Sequence, residues 1–239
     1  VIRSASSVLS DTAILVFAKF PEPGRVKTRL AREVGHAAAL RLYRAFVGDL
    51  LDTLRQTGHP VAICHDPPPA GERMRDWLGP GYAYRPQNGA DLGERMANAL
   101  SSAFREGRKA AVLVGTDLPD LPGDIPSRAF AGLERTGAAI GPSPDGGYYL
   151  IGFAADAFRA DVFRDIPWST EVVFSRTRAR MAENGLSPAL LPVWNDIDTL
   201  ADLAALSDAA EAPRTRARLA AGDAARRARP APGSRGGPI

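Results

Sequence analysis

The stretch AILVFAKFPEPGRVKTRL, Ala13–Leu30, decides the fold. Its first third, Ala13–Ala18, is apolar at every position. A strand with one wet face alternates apolar and polar residues. A strand without that alternation is covered on both faces, as in a parallel sheet between helix layers. The chain then breaks at a Pro- and Gly-bearing loop, Phe20–Lys27, and enters a helix start. A buried strand, a polar loop and a helix make the opening unit of an α/β fold.

The same alternation continues outward. Ala37–Arg55 carries Leu40, Tyr43, Phe46, Val47, Leu50, Leu51 and Leu54 at helical spacing. Val61–Cys64 and Tyr82–Arg85 are predicted strands, with a short helix over Glu72–Leu78 between them. Asp91 is placed to cap a helix running to Phe104, because its carboxylate can accept orphan N–H groups. Ala111–Val114 is wholly apolar and predicted central. Then come a helix (Ile125–Arg135), strands Ala138–Ile140 and Tyr148–Phe153 around an Asp-Gly-Gly turn, a helix (Glu171–Glu183), a strand (Ala189–Leu191) and a helix (Leu200–Leu206). The order predicts a three-layer α/β/α sandwich with a mostly parallel, Rossmann-like sheet. One domain, 12–208, is expected between a flexible leader, 1–11, and a tail, 209–239, of Ala, Arg, Pro and Gly. A loose helix over Arg214–Arg229 is conceivable; otherwise the tail is expected to be disordered.

Charge sharpens this division. The 239 residues carry a formal +3, yet 212–239 alone hold seven Arg and one Asp, a net +6 that leaves −3 for 1–211. The body is mildly acidic, and the basic tail has no interleaved aromatics, so a nucleic-acid partner is not expected. Cys64 is the single cysteine, which precludes an intrachain disulfide and points to a reducing, cytoplasmic setting. No run of about 18 apolar residues is present, so no membrane span is expected. The Ser-rich start lacks the apolar core of a signal peptide. His36, His59, His65 and Cys64 have no zinc-like spacing.

Ligands of parallel sheets sit beyond the carboxyl ends of the strands. Three segments lie there. The loop after the first strand gathers Lys19, Arg25, Lys27 and Arg29, cations suited to a di- or triphosphate, although no Walker A glycine pattern precedes Lys27. Asp117, after the central strand, is a hard oxygen ligand for Mg²⁺ or Mn²⁺ or else a turn residue. Asp196 and Asp198 alternate, so in extended backbone they share a side; Asp198 or Thr199 also suits a helix cap. The near match to a nucleophile elbow at Gly141–Asp145 has Asp where Gly is needed, which argues against a serine hydrolase. Gly146 and Gly147 permit a turn or a close ligand approach. Trp168, Ser169 and Thr170 suit either a pocket wall or a loop anchor.

Taken in order, FAKFPEPGRVKTRLA (Phe17–Ala31), QNGADLGERM (Gln87–Met96), VGTDLPDLP (Val114–Pro122), GPSPDGGYYLIGF (Gly141–Phe153), PWST (Pro167–Thr170) and WNDIDTLADL (Trp194–Leu203) resemble a bacterial family. It is the family of GT-A-fold, nucleotide-diphospho-sugar-transferase-like proteins, some labelled arsenosugar-biosynthesis glycosyltransferases. The wider superfamily includes the guanylyltransferases of molybdenum-cofactor and deazaflavin-cofactor synthesis. The resemblance spans about Ala13 to Leu206. It implies that Lys27 and Arg29 hold phosphates, and that Gln87, Gly89, Leu92 and Gly93 face base and ribose. It implies a divalent metal on Asp117, Asp196 and Asp198. Gly115, two residues before Asp117, leaves the DxD sequence of glycosyltransferases absent. The activity implied is glycosyl transfer from a nucleotide sugar to a small-molecule acceptor, with Asp145 on the acceptor side. The alternatives are nucleotidyl transfer from an NTP with release of pyrophosphate, and a nucleotide-binding module without turnover. Donor base, acceptor and oligomeric state are left open.

Overall fold

The computed structural model describes residues 11–206 and 212–227. Seven strands are present among them: β1 (Thr12–Lys19), β2 (Val61–Asp66), β3 (Ala83–Pro86), β4 (Ala110–Val114), β5 (Ala138–Pro142), β6 (Tyr148–Ala154) and β7 (Ala189–Leu190). They form one sheet in the order β3-β2-β1-β4-β6-β5-β7. β6 runs antiparallel to both β4 and β5, and every other pairing is parallel. The predicted central strand, β4, is the fourth of the seven.

The apolar runs are buried on both faces, as their lack of alternation requires. Ile14, Val16 and Ala18 of β1 join one core with Tyr43, Val47, Leu50 and Leu54 of α2 (His36–Gln56), Met74 of α3 (Gly71–Leu78), and Ile125 and Leu133 of α5 (Ile125–Thr136). Ala13 and Leu15 point the other way, to Met96 and Leu100 of α4 (Leu92–Arg105) and Met181 of α6 (Val173–Glu183). This is the α/β/α sandwich expected from the sequence. Asp91 caps α4 as predicted, its carboxylate accepting from the Glu94 N–H at 2.8 Å.

A third apolar cluster lies outside the two sheet faces. Leu30 and Ala31 of α1 (Thr28–Val34), Ala39, Leu42 and Phe46 of α2, Ile197, and Leu203 of α7 (Leu200–Ala204) pack together, with Leu219 against them. Leu219 belongs to α8, Pro213–Arg227, in the segment expected to be a disordered tail. Of the two expectations for this stretch, these residues follow the helix over Arg214–Arg229 and not disorder. The physical reason is a polar anchor that no hydrophobic stripe announces. Asp49 on α2, 1% exposed, accepts hydrogen bonds from the N–H groups of Arg214 (2.9 Å) and Thr215 (2.9 Å) and from Thr215 Oγ1 (2.7 Å). Arg214 also pairs with Asp52 at 2.7 Å. A carboxylate from another helix therefore satisfies the orphan donors of the first turn of α8. What was expected of 1–10, 207–211 and 228–239 concerns residues outside those described. Among the described residues no helix is long and apolar enough to cross a membrane.

Candidate active site at the carboxyl ends of β1 and β4

The site starts from the end of β1. Tyr43, buried on α2, fixes Lys19 through its backbone, accepting from the N–H at 3.0 Å and donating to the C=O at 2.9 Å. Thr116 Oγ1, beyond β4, lies 3.4 Å from the same phenol. Burial holds the Tyr43 phenol well above its ordinary pKa, so it stays a neutral tie between the two strand ends.

The loop after β1 ends at Lys27, whose backbone is left-handed (φ 48°, ψ 46°). A non-glycine residue in that region is uncommon and is held by its surroundings. Here the side chain is 2% exposed. Its ammonium donates to the Ile197 carbonyl at 2.6 Å and to Asp198 Oδ1 at 3.0 Å, and pairs with Asp117 Oδ1 at 2.7 Å. Burial pulls the lysine pKa down, but the two carboxylates outweigh it and hold Lys27 above its ordinary value.

Asp196 and Asp198 both line the cleft, while Ile197 between them turns into the third apolar cluster. The Ile197 N–H donates to the Asp117 carbonyl at 2.9 Å. Thr199 is the cap of α7, in a reciprocal capping box with Asp202. The helix-cap expectation for the segment is met at Thr199. Burial, then the facing Asp117 carboxylate, push Asp196 up to about 7, against the pull of Lys27.

A cleft of about 420 Å³ opens beyond these strand ends. Of the predicted residues, Arg29, Leu92, Asp145, Gly147, Trp168, Ser169, Thr170, Asp196 and Asp198 line it. Arg29 lies 3.4 Å from Asp198 Oδ2. Asp145 Oδ1 accepts from the Gly147 N–H at 2.9 Å. Other predicted residues have structural duties. Gly146, at φ 87°, packs so closely that an added Cβ would lie 1.9 Å from the Glu171 carbonyl oxygen. Gly93 leaves room for the Trp168 ring, which an added Cβ would approach to 2.7 Å. Gln87 is buried, with Nε2 donating to the Cys64 carbonyl at 2.8 Å. Gly89 abuts the backbone of Glu94 and Arg95 at the start of α4, and neither it nor Gln87 lines the cleft. Lys19 and Arg25 are exposed, and Arg25 pairs with Glu22 at 3.4 Å.

Asp117, Asp196 and Asp198 are brought near one another, but not as a ready-made cage. Among the described residues no group of three His, Cys, Asp or Glu side chains is placed to hold an ion. The expected three-carboxylate cluster is corrected to that extent, and the Lys27 ammonium between Asp117 and Asp198 is the physical reason.

Sequence reasoning missed the apolar and aromatic lining: Phe17, Met96, Leu113 and Tyr148, together with Glu171. Phe17 and Leu113 stand near the carboxyl ends of β1 and β4, a positional signal that could have found them. Glu171 carries no such signal, because only the tertiary approach of its backbone to Gly146 brings it to the cleft.

Residues 50–170 match a family described as an uncharacterized protein conserved in bacteria, DUF2064. The chain belongs to the DUF2064 family. The span shared with the DUF2064 description contains Asp117, Asp145 and Trp168–Thr170, whereas Lys27, Arg29, Asp196 and Asp198 fall outside it. The chain is also similar to a protein of Desulfovibrio desulfuricans G20 provisionally described as a nucleotide-diphospho-sugar transferase. The identity is 41%, the TM-score 0.82, and 91% of this chain and 97% of that one are covered. Two more distant structures share the fold. A 4-diphosphocytidyl-2C-methyl-D-erythritol synthase has a TM-score of 0.52 at 11% identity, covering 87% of this chain and 96% of that one. A nucleotidyl transferase from Methanothermobacter thermautotroptrophicus has a TM-score of 0.51 at 14% identity, covering 82% and 96%. No curated protein matches the sequence. Within this DUF2064 chain the fold is thus that of nucleotide-diphospho-sugar-transferase-like structures.

Proposed function

We propose that this chain is a glycosyltransferase that moves a sugar from a nucleotide-sugar donor to a small acceptor without a phosphate group. The observation that carries the reading is the charge of the cleft. Asp145, Glu171, Asp196 and Asp198 line it against the single cation Arg29. With the donor diphosphate held at Arg29, the lining leaves no second cation for a phosphate on the acceptor, which would face the carboxylates unpaired. A hydroxyl- or amine-bearing acceptor needs no such partner, and Phe17, Tyr148 and Trp168 offer it apolar wall. Nucleotidyl transfer to a phosphate-bearing acceptor is the reading this disfavours. The Desulfovibrio relative's description supports the same class.

In this reading the donor diphosphate lies over the loop after β1, within reach of Arg29, whose fixed charge stabilises the departing diphosphate. Asp145 keeps one oxygen in its turn with Gly147 and offers the other to the acceptor hydroxyl. Asp196 and Asp198, hard oxygen donors on the cleft wall, would hold a Mg²⁺ or Mn²⁺ that arrives with the donor diphosphate, with Asp117 beside them on Lys27. Mg²⁺ is ordinarily held by one or two carboxylates plus substrate phosphates, so a three-group cage is not required. When bound, the ion supplies Lewis-acid stabilisation of the leaving diphosphate.

The test is a panel of nucleotide sugars and nucleoside triphosphates with Mg²⁺ or Mn²⁺. Thermal shift identifies the donor, since a ligand of the native state raises apparent stability. Phosphorus NMR then identifies the product. A nucleoside diphosphate released from a nucleotide sugar is expected. Pyrophosphate released from a triphosphate overturns the reading in favour of nucleotidyl transfer.

A further inference from the structure

We propose that Lys27 is the resident counter-ion of the carboxylate set, a positioning residue that holds Asp117 and Asp198 together and competes with a divalent cation for them. The inference rests on reading those two carboxylates as cation ligands, but not on which donor is used.

A lysine ammonium has three N–H donors and no acceptor. Lys27 has three acceptors within hydrogen-bond distance: the Ile197 carbonyl, Asp117 Oδ1 and Asp198 Oδ1. Its donors are therefore spent on protein atoms, and a phosphate could engage it only by displacing one. The side chain is sealed, at 2% exposure, above the Phe46 ring at 5.6 Å. Arg29 contrasts with it. That guanidinium is 70% exposed and holds Asp198 only at 3.4 Å, so it stays available to a diphosphate.

The placement of Lys27 is over-determined from three directions. Its left-handed backbone sets the side chain at the mouth of α1. Phe46 and Ile197 belong to the third apolar cluster, beside and beyond the ammonium. The Ile197 backbone links both partners, donating to Asp117 and accepting from Lys27. Removing the ammonium would leave Asp117, Asp196 and Asp198 facing one another with no buried cation among them. Carboxylates so placed repel each other until a cation arrives. With Lys27 present, one oxygen of Asp117 and one of Asp198 are already taken. A free divalent ion must compete for them, whereas an ion already bound to a diphosphate brings most of its own ligands.

The experiment is Mn²⁺ binding followed by electron paramagnetic resonance, without nucleotide and then with a nucleoside diphosphate. Lys27→Met keeps the length of the side chain and removes its charge. Mn²⁺ alone is expected to bind this variant about tenfold or more tighter than the parent, as loss of a contacting like charge requires. Lys27→Arg, which keeps the charge, is expected to leave Mn²⁺ binding as weak as in the parent. Equal or weaker binding by Lys27→Met overturns the proposal. If neither protein binds Mn²⁺ even with nucleoside diphosphate present, the cation reading fails and takes the counter-ion with it. Should Lys27→Met not fold, Lys27→Met/Asp198→Asn decides the matter. A counter-ion role requires that neutralising Asp198 recovers soluble, cooperatively melting protein; no recovery overturns it.

Discussion

The N–H of Ile197 donates to the carbonyl of Asp117 at 2.9 Å. This one bond joins the loop after β4 to a segment 80 positions later in the chain. Ile197 itself is 3% exposed, packed among Leu30, Leu42, Phe46 and Leu203. The apolar side chain thus anchors a segment whose two flanking aspartates face the cleft.

Ile197→Ala should destabilise the fold by about 2–5 kcal/mol, the usual cost of an isoleucine cavity. Urea denaturation measures this. A loss below about 0.5 kcal/mol, the range of surface changes, would show that the cluster does not anchor the segment.

Asp117→Asn keeps the shape of the side chain and removes the charge that Lys27 and a divalent ion share. The expected outcome is an intact fold with metal-dependent donor binding abolished, measured by calorimetry with Mn²⁺ and a nucleotide sugar. Donor and metal bound as in the parent would show that Asp117 is no metal ligand.

Metal-free stability should depend on Asp196. Its folded pKa, raised to about 7 by burial and by Asp117, exceeds the ordinary value of 3.8. A carboxyl raised in the folded state favours folding fully below the unfolded pKa, and that favour is lost as pH rises through the folded one. Asp196→Asn should therefore melt higher than the parent at pH 8 in chelator, with the gap closing as pH falls from 7 toward 4. A gap that is constant with pH would contradict the shift.

Asp49→Ala removes the acceptor of three hydrogen bonds at the start of α8. Leaving such donors without a partner costs about 1–3 kcal/mol each when they stay buried, so the helix is expected to release instead. Hydrogen exchange over 213–222 should accelerate while exchange in β1 and β4 does not. Unchanged protection in 213–222 would mean that Asp49 is not its anchor.

Cys64 sits in β2, 1% exposed, with burial pushing its thiol up to about 12. Only the thiolate is nucleophilic. At pH 8 a thiol reagent should leave the native protein unmodified and label it fully in denaturant. Rapid native labelling would show that β2 opens.

The sheet was legible because its signal is local. The unbroken apolar runs at Ala13–Ala18 and Ala111–Val114 fit only strands covered on both faces, and the helical stripe of α2 supplies one cover. The shared side of Asp196 and Asp198 was legible too, since residues two apart flank one that turns the other way, here Ile197. The buried hydrogen bond of Gln87 and the close packing of Gly93 were not, because in sequence a buried amide and a packing glycine look the same as ligand-binding residues.

By itself, the sequence determined the layers, the strand ends that bear polar residues, and the acidic balance of the body. Tertiary structure alone decided what those residues do to one another. Lys27 and Asp198 are 171 positions apart, and nothing in a run of basic residues tells which cation is spent inside the protein and which is left for a ligand. Secondary structure follows from periodicity within a few residues. The partner of a buried charge follows from which loops the packed sheet brings together, and so does the anchor that Asp49 gives α8.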